Sequence, residues 1–267
     1  FFSLFFIFSS IDLISQDIEE IIVKGNWRES KSIEQDSSIV ILKNNILESQ
    51  PVKHFENLSY LVPNLNFAAS DSRARHFQIR GIGERSGYER TPNSAVGILI
   101  DDVDYSGQGG IATTFDIDQV EVHRGPQGSR IGSNALAGLI YIKTKEPTAE
   151  YEGITEITSG SYGTLNAGTA FGGPSAFNQN LTYRLVLRKD YSDGFRKNLF
   201  SGKSDTSKKD ESTYRLKMNW KIGSDTTLKL LVTQIDLNDP ADIWTIDGSL
   251  NTLSDRPGMD SQKTNAY

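Results

Sequence analysis

Apolar and polar positions alternate with period two along three runs in the second half of the chain. Leu181, Tyr183, Leu185 and Leu187 alternate with Thr182, Arg184, Val186 and Arg188. Tyr214, Leu216, Met218, Trp220 and Ile222 alternate with Arg215, Lys217, Asn219 and Lys221, and Leu228, Leu230 and Val232 lie opposite Thr227, Lys229, Leu231 and Thr233. Successive side chains of a strand point to opposite faces, so each run predicts a strand with one apolar face. Tyr151 to Thr158 and Thr164 to Phe171 carry weaker versions, for about five strands in all. Ile222-Gly223-Ser224-Asp225 reads as a tight hairpin. Asp190 to Ser212, and the stretch from Asn238 onward, read as long polar loops, whereas Ser159 to Gly163 is a short one.

The first half is mixed. Ser38 to Leu42 predicts a short strand. Pro51 to Leu61 places Val52, Phe55, Leu58 and Leu61 at helical spacing, with Pro51 suited to a first turn and Pro63-Asn64 as the stop. His76 to Gly83 (HFQIRGIG) reads as a strand entering a glycine turn, and Ala95 to Tyr105 (AVGILIDDVDY) as a buried strand followed by an acidic turn. From Asp116 to Pro147 an alternating run (Val120, Val122) meets Arg124-Gly125-Pro126. A turn of small residues (Gly132 to Ala135) then leads to an apolar strand, Leu139 to Ile142, closed by Lys143-Thr144-Lys145. Near the front, Asp17 to Gly25 favours an extended segment, and residues 26–38 read as a polar linker. Phe1 to Phe8 is too short to cross a bilayer and has the character of a secretory h-region, with cleavage expected near Ser15 or Gln16. No later stretch offers 18 consecutive apolar residues.

Composition narrows the function. A net charge of -6 argues against a general nucleic-acid binder. A mean hydropathy of -0.41 does not argue against a membrane barrel, whose strands show lipid only every second side chain. There are no cysteines, hence no disulfides or thiolate metal sites. His54, His76 and His123 lack ligand spacing, and no metal or cofactor is expected. Gly81-Ile82-Gly83 with Gly87 is followed by a turn-forming run rather than the helix N-terminus that a phosphate cradle requires. Counting Asp102 as the first position of a calcium loop puts Thr113 where a bidentate Glu is needed, so Asp101, Asp102 and Asp104 read as a solvated turn. No motif frames a nucleophile, and the chain is not expected to be an enzyme.

Four of these segments, in order, resemble the plug of TonB-dependent outer-membrane receptors: LSYLVPNLNF (Leu58 to Phe67), the IRGIG strand, the V-x-I-x-I-D-D-V strand, and Asp116 to Pro147. The resemblance implies an α+β plug domain followed by antiparallel transmembrane β-barrel strands. The expected organisation is a signal-peptide remnant over residues 1–16, a TonB box and linker over 17–37, the plug over 38–147 and the first barrel strands over 148–267. Glu19, Glu20, Ile21, Ile22 and Val23 are similar to the TonB box, an extended peptide able to add to the sheet edge of the TonB energy-coupling protein. Arg80 and Arg124 are expected to hold the plug against the barrel wall, with Glu152 and Glu156 as candidate partners. Arg85, Tyr88, Tyr105 and Gln108, on loops around Glu84 to Pro92 and Tyr105 to Thr114, are expected ligand contacts. The implied partners are TonB, outer-membrane lipid and a small-molecule or metal-chelate substrate such as an iron chelate, cobalamin or oligosaccharide, imported without catalysis. Barrels of this kind have about 22 strands, and about five cannot close, so most of the barrel is expected to be missing at the C-terminal end; without an initiator Met or a basic n-region, the front is expected to be truncated as well. Alternation with charge on one face also suits a soluble sheet with one wet face. The alternative is therefore a secreted or periplasmic binding module that performs no transport.

Overall fold

The computed structural model describes residues 21–24, 30–31, 38–50, 53–68, 72–85, 92–108, 113–242, 245 and 247–267. The expected signal remnant (1–16), Glu19, Glu20, Tyr88 and most of the linker lie outside the described residues. Two sheets dominate, one in each half of the chain, and they pack against each other.

The first half begins with a two-residue pair, β1 (Ile22–Val23) with β2 (Ser30–Lys31). It continues through β3 (Ser38–Lys43), α1 (Asn44–Ser49), a 3-10 turn (Phe55–Tyr60), β4 (Leu65–Ala68), β5 (His76–Ile79), β6 (Val96–Ile100), β7 (Val103–Asp104), β8 (Ile117–Arg124), α2 (Gly128–Ile131) and β9 (Gly138–Thr144). Five strands form a mixed sheet in the order β3-β8-β9-β6-β7, with β6 and β9 parallel and the other pairs antiparallel. Every residue of β6 is buried, as its unbroken apolar run demands. The core joins Leu42, Val120, Val122, Ile140 and Ile142 of this sheet to Phe55 and Leu58 below it.

The helix expected over Pro51 to Leu61 is a six-residue 3-10 helix, Phe55–Tyr60. The spacing of Phe55 and Leu58, both buried, suits three residues per turn as well as 3.6. His54 caps the turn in a reciprocal box with Asn57. Two short helices, α1 and α2, were not evident in the apolar pattern, because α1 buries only Leu47 and α2 buries nothing.

The second half is an antiparallel meander of β10 (Glu152–Ser159), β11 (Leu165–Pro174), β12 (Leu181–Ser192), β14 (Lys209–Ile222), β15 (Thr226–Ala241) and β17 (Gly258–Ala266). Two dipeptides in its connections, β13 (Lys197–Asn198) and β16 (Asn251–Thr252), form a separate parallel ladder. The meander thus has six strands, not five, and is not closed into a barrel. β17 escaped the pattern because GMDSQKTNA offers no apolar face to detect.

Cross-strand register puts Arg184, Lys217 and Leu231 on one face and Phe171, Tyr183, Met218 and Leu230 on the other. The charged face turns toward the first sheet. The other face is apolar and open: Phe171 is 41% exposed, Trp220 43% and Leu228 54%, and Phe171 meets Tyr183 edge-on there.

The connections after β12 and β15 are tied together. The buried Asp242 carboxylate accepts hydrogen bonds from Asn198 Nδ2 (2.9 Å), Thr206 Oγ1 (2.7 Å) and Thr252 Oγ1 (2.5 Å), and Asn198 also donates to the Ser254 carbonyl. All four side chains are buried. The tie lies directly beside the β13–β16 ladder.

Candidate functional site

The chemistry of this molecule is concentrated where the first sheet meets the charged face of the second. Phe115 and Asp116, just before β8, enter that face. Phe115 packs with Ala170 and Val186 and lies 5.2 Å under the Arg188 guanidinium. Gly168 leaves the room for this, since a Cβ there would come within 3.1 Å of the Phe115 ring. Asp116 is wholly buried. It accepts two bonds from Arg184, at 2.8 and 2.5 Å, and lies 3.5 Å from Arg215. A fork-to-fork pair of this kind fixes orientation as well as charge.

A second tie is built on Asp101, whose carboxylate lies 2.9 Å from Lys217 Nζ and accepts from the Thr144 amide and hydroxyl. Lys217 also reaches Glu146 at 3.1 Å, and Glu146 pairs with Lys143 at 2.7 Å. Burial opposes ionisation of Glu146, yet the Lys143 hydrogen bond and the Lys217 charge outweigh it and hold the carboxyl at about 2. Because the folded value lies below the ordinary one near 4.5, this tie contributes fully above pH 4.5 and is lost as the pH falls toward 2. Proteolysis of the first sheet is therefore expected to accelerate between pH 4.5 and 3, and Glu146→Gln to flatten that part of the profile. An unchanged profile would exclude Glu146 as its source.

A third tie joins Arg73 to Glu56 on its own side and to Glu211 across the seam, with Asp239 3.9 Å away. Lys53 and Arg188 share Glu156, each at 2.8 Å.

The expected site residues are distributed differently from their motifs. The Arg124 guanidinium donates to Ser38 Oγ and the Pro63 carbonyl, both in its own half. Glu152 is bound to Arg184 and Glu156 to Lys53 and Arg188, so neither acid is the partner expected for Arg80 or Arg124. Arg80 is exposed at a φ of 54°. Tyr105, expected on an open loop, is only 3% exposed. It hydrogen-bonds Thr233, and burial, with the Asp101 charge, pushes its hydroxyl up to about 12. Gln108 is exposed and accepts from Gln262 of β17 at 3.2 Å. Arg85 is exposed. Of the expected partner strand, Ile21 is exposed and Val23 fully buried.

The residues missed were Asp101 and Asp116. Both have positive φ, 48° and 61°. An Asp at a strand boundary is a signal for that conformation, though not for the cation it faces.

A small mixed sheet seated on the charged face of a larger antiparallel meander, apolar outside, is the arrangement of a plug against a barrel wall. Residues 31–139 match the family model described as the TonB-dependent Receptor Plug Domain. This part of the chain is similar to the plug domain of that family. The Pesticin receptor of Yersinia pestis is 29% identical over 102 residues, which is 38% of this chain and 15% of that protein. Among solved structures, the ferric yersiniabactin uptake receptor FyuA from Yersinia pestis superposes with a TM-score of 0.70 at 22% identity, covering 78% of this chain and 33% of that one. The ferripyoverdine receptor of the outer membrane of Pseudomonas aeruginosa gives 0.68 at 18% identity, over 82% of this chain and 28% of that one. The chain therefore spans about a third or less of the length of these proteins, and its fold is that of their plug and adjoining strands. They are transport receptors rather than enzymes.

Proposed function

We propose that this chain is the plug and adjoining barrel wall of an outer-membrane receptor that imports a ferric chelate, energised through TonB. The observation carrying this reading is the division of the meander into a charged face packed on the plug and an apolar face left open. In water, so large an apolar surface would be an aggregation hazard; against lipid it is the expected surface of a barrel. The same observation counts against a secreted or periplasmic binding module. The substrate class follows the relatives, whose names describe ferric yersiniabactin and ferripyoverdine receptors. Within this reading Glu19 to Val23 recruit TonB, the long connections after β12 and β15 face outward, and Arg85, Tyr88 and Gln108 are the remaining ligand-contact candidates. Arg80 keeps its proposed role at the plug–wall boundary, toward acids other than Glu152 and Glu156, whereas Arg124 is engaged within its own half.

Replacing Ile21 with Pro removes a main-chain donor from the partner strand. In cells depleted of iron, uptake of radiolabelled ferric chelate is expected to fall to background while chelate binding is retained. Normal uptake by that variant would refute the assignment of the strand.

A further inference from the structure

The apolar face of the meander is not level. Between β10, β11, β12 and β14 it carries a hollow of about 350 Å³. Short side chains of β11, Ala167 and Thr169, make the floor, and Ile157, Leu187 and Tyr214 make the walls. Register brings them together: Ile157 stands opposite Ala167, Thr169 opposite Leu187, and Leu187 opposite Tyr214. The Thr155 and Thr169 hydroxyls lie 3.2 Å apart and bond each other, so the floor asks for no polar partner from outside.

The hollow sits where the face changes character. On one side the next row across the strands is Phe171, Leu185, Leu216 and Val232, all apolar. On the other, the row that begins at Ala167 continues through Lys189, Ser212, Asp236 and Lys263. Lys189, half-exposed, stands at this boundary on the rim of the hollow. Its ammonium has three donors. Among the described residues it gives one to Asp210 and one to Ser212 Oγ, at 3.1 Å. The third is left for an anion. An apolar trough with a cation at its mouth is complementary to an acyl chain that ends in an acidic headgroup.

We infer that the hollow is a specific site for lipid A, with one acyl chain lying over Ala167 and Thr169 and a phosphate at Lys189. β12 runs from this row toward the long connection that follows it. With that connection facing outward, the hollow meets the outer leaflet, whose phosphate-bearing lipid is lipid A. The inference rests on the reading of the meander as a barrel wall and on that orientation.

Native mass spectrometry of the intact receptor in detergent, titrated separately with bisphosphorylated lipid A and with phosphatidylethanolamine, reads occupancy directly. The wild type is expected to take up a single lipid A tightly. Ala167→Leu fills the floor and excludes about two methylene groups of the chain, for a loss of affinity of about ten-fold. Lys189→Gln is expected to lose about three-fold, and that loss to vanish when the lipid A is dephosphorylated. Leu230→Phe, on the same face but outside the hollow, is expected to change nothing. Equal affinity of the wild type and Ala167→Leu for lipid A overturns the site, as does an equal loss in Leu230→Phe; neither result touches the barrel reading. A preference for phosphatidylethanolamine that Ala167→Leu abolishes overturns lipid A as the occupant and, with it, the outward orientation of the long connections.

Discussion

Replacing Asp116 with Asn is expected to loosen the plug from the wall more than any other single conservative change at the seam. The carboxylate is fully buried and faces two guanidinium groups, Arg184 and Arg215, whose side chains are themselves 4% and 6% exposed. Removing one partner of such a set leaves buried charge without compensation, a loss of about 3–5 kcal/mol. Asn keeps the shape and tolerates the positive φ of 61° at this position. Asp116→Ala adds a backbone cost of roughly 1–2 kcal/mol at that φ. Both variants are expected to expose the plug to protease in the intact receptor at denaturant concentrations where the wild type is protected, with Ala worse than Asn. Equal protection across the three proteins would mean that the Asp116 pairs are not what anchors the plug.

The second large effect is expected at Gly138, the first residue of β9. A Cβ there would lie 2.4 Å from the His123 carbonyl oxygen and 2.6 Å from Ile79 Cδ1. The first of these neighbours is backbone of the adjoining strand and cannot move without breaking the β8–β9 ladder, which pairs Arg124 with Gly138. Gly138→Ala is expected to cost about 3 kcal/mol, the upper end of overpacking penalties, and to reduce the yield of receptor with a protease-resistant plug. Gly132 supplies the comparison. It has a φ of 69° but open space around its missing side chain, so Gly132→Ala is expected to cost only about 1 kcal/mol. If the two variants behaved alike, steric contact would not be the cause.

What the sequence disclosed followed from local pattern. The period-two runs around Tyr183, Tyr214 and Leu228 are strands because half of each faces the plug and half does not. The tight turn at Gly223 was equally legible. β17 was not, because its Asp260, Gln262 and Thr264 carry no apolar signature. Asp101 reads in sequence as part of a solvated acidic turn, yet its cation, Lys217, is on a strand more than a hundred residues further on. Nothing local to either residue announces the other. Tyr105 fails in the same way: a Tyr beside Ser106-Gly107 looks like a loop residue until Thr233 of the wall is laid over it. Family motifs located Arg124 correctly but not its partners, since the motif fixes the strand end and not the direction of the guanidinium.

The Asp242 tie has a consequence for how such chains diverge. Three buried side chains from two separate connections, Asn198, Thr206 and Thr252, all donate to the buried Asp242 carboxylate, so a change at Asp242 strands the three donors and a change at any donor removes one of its bonds. Beside them Leu199, Phe200, Leu250 and Leu253 are exposed and bound by no such constraint. Comparison of descendants of this gene is expected to show the four changing in concert or not at all, while their neighbours drift independently. Recombination that exchanged one connection without the other would separate the set, leaving a hybrid whose two surface segments no longer fit.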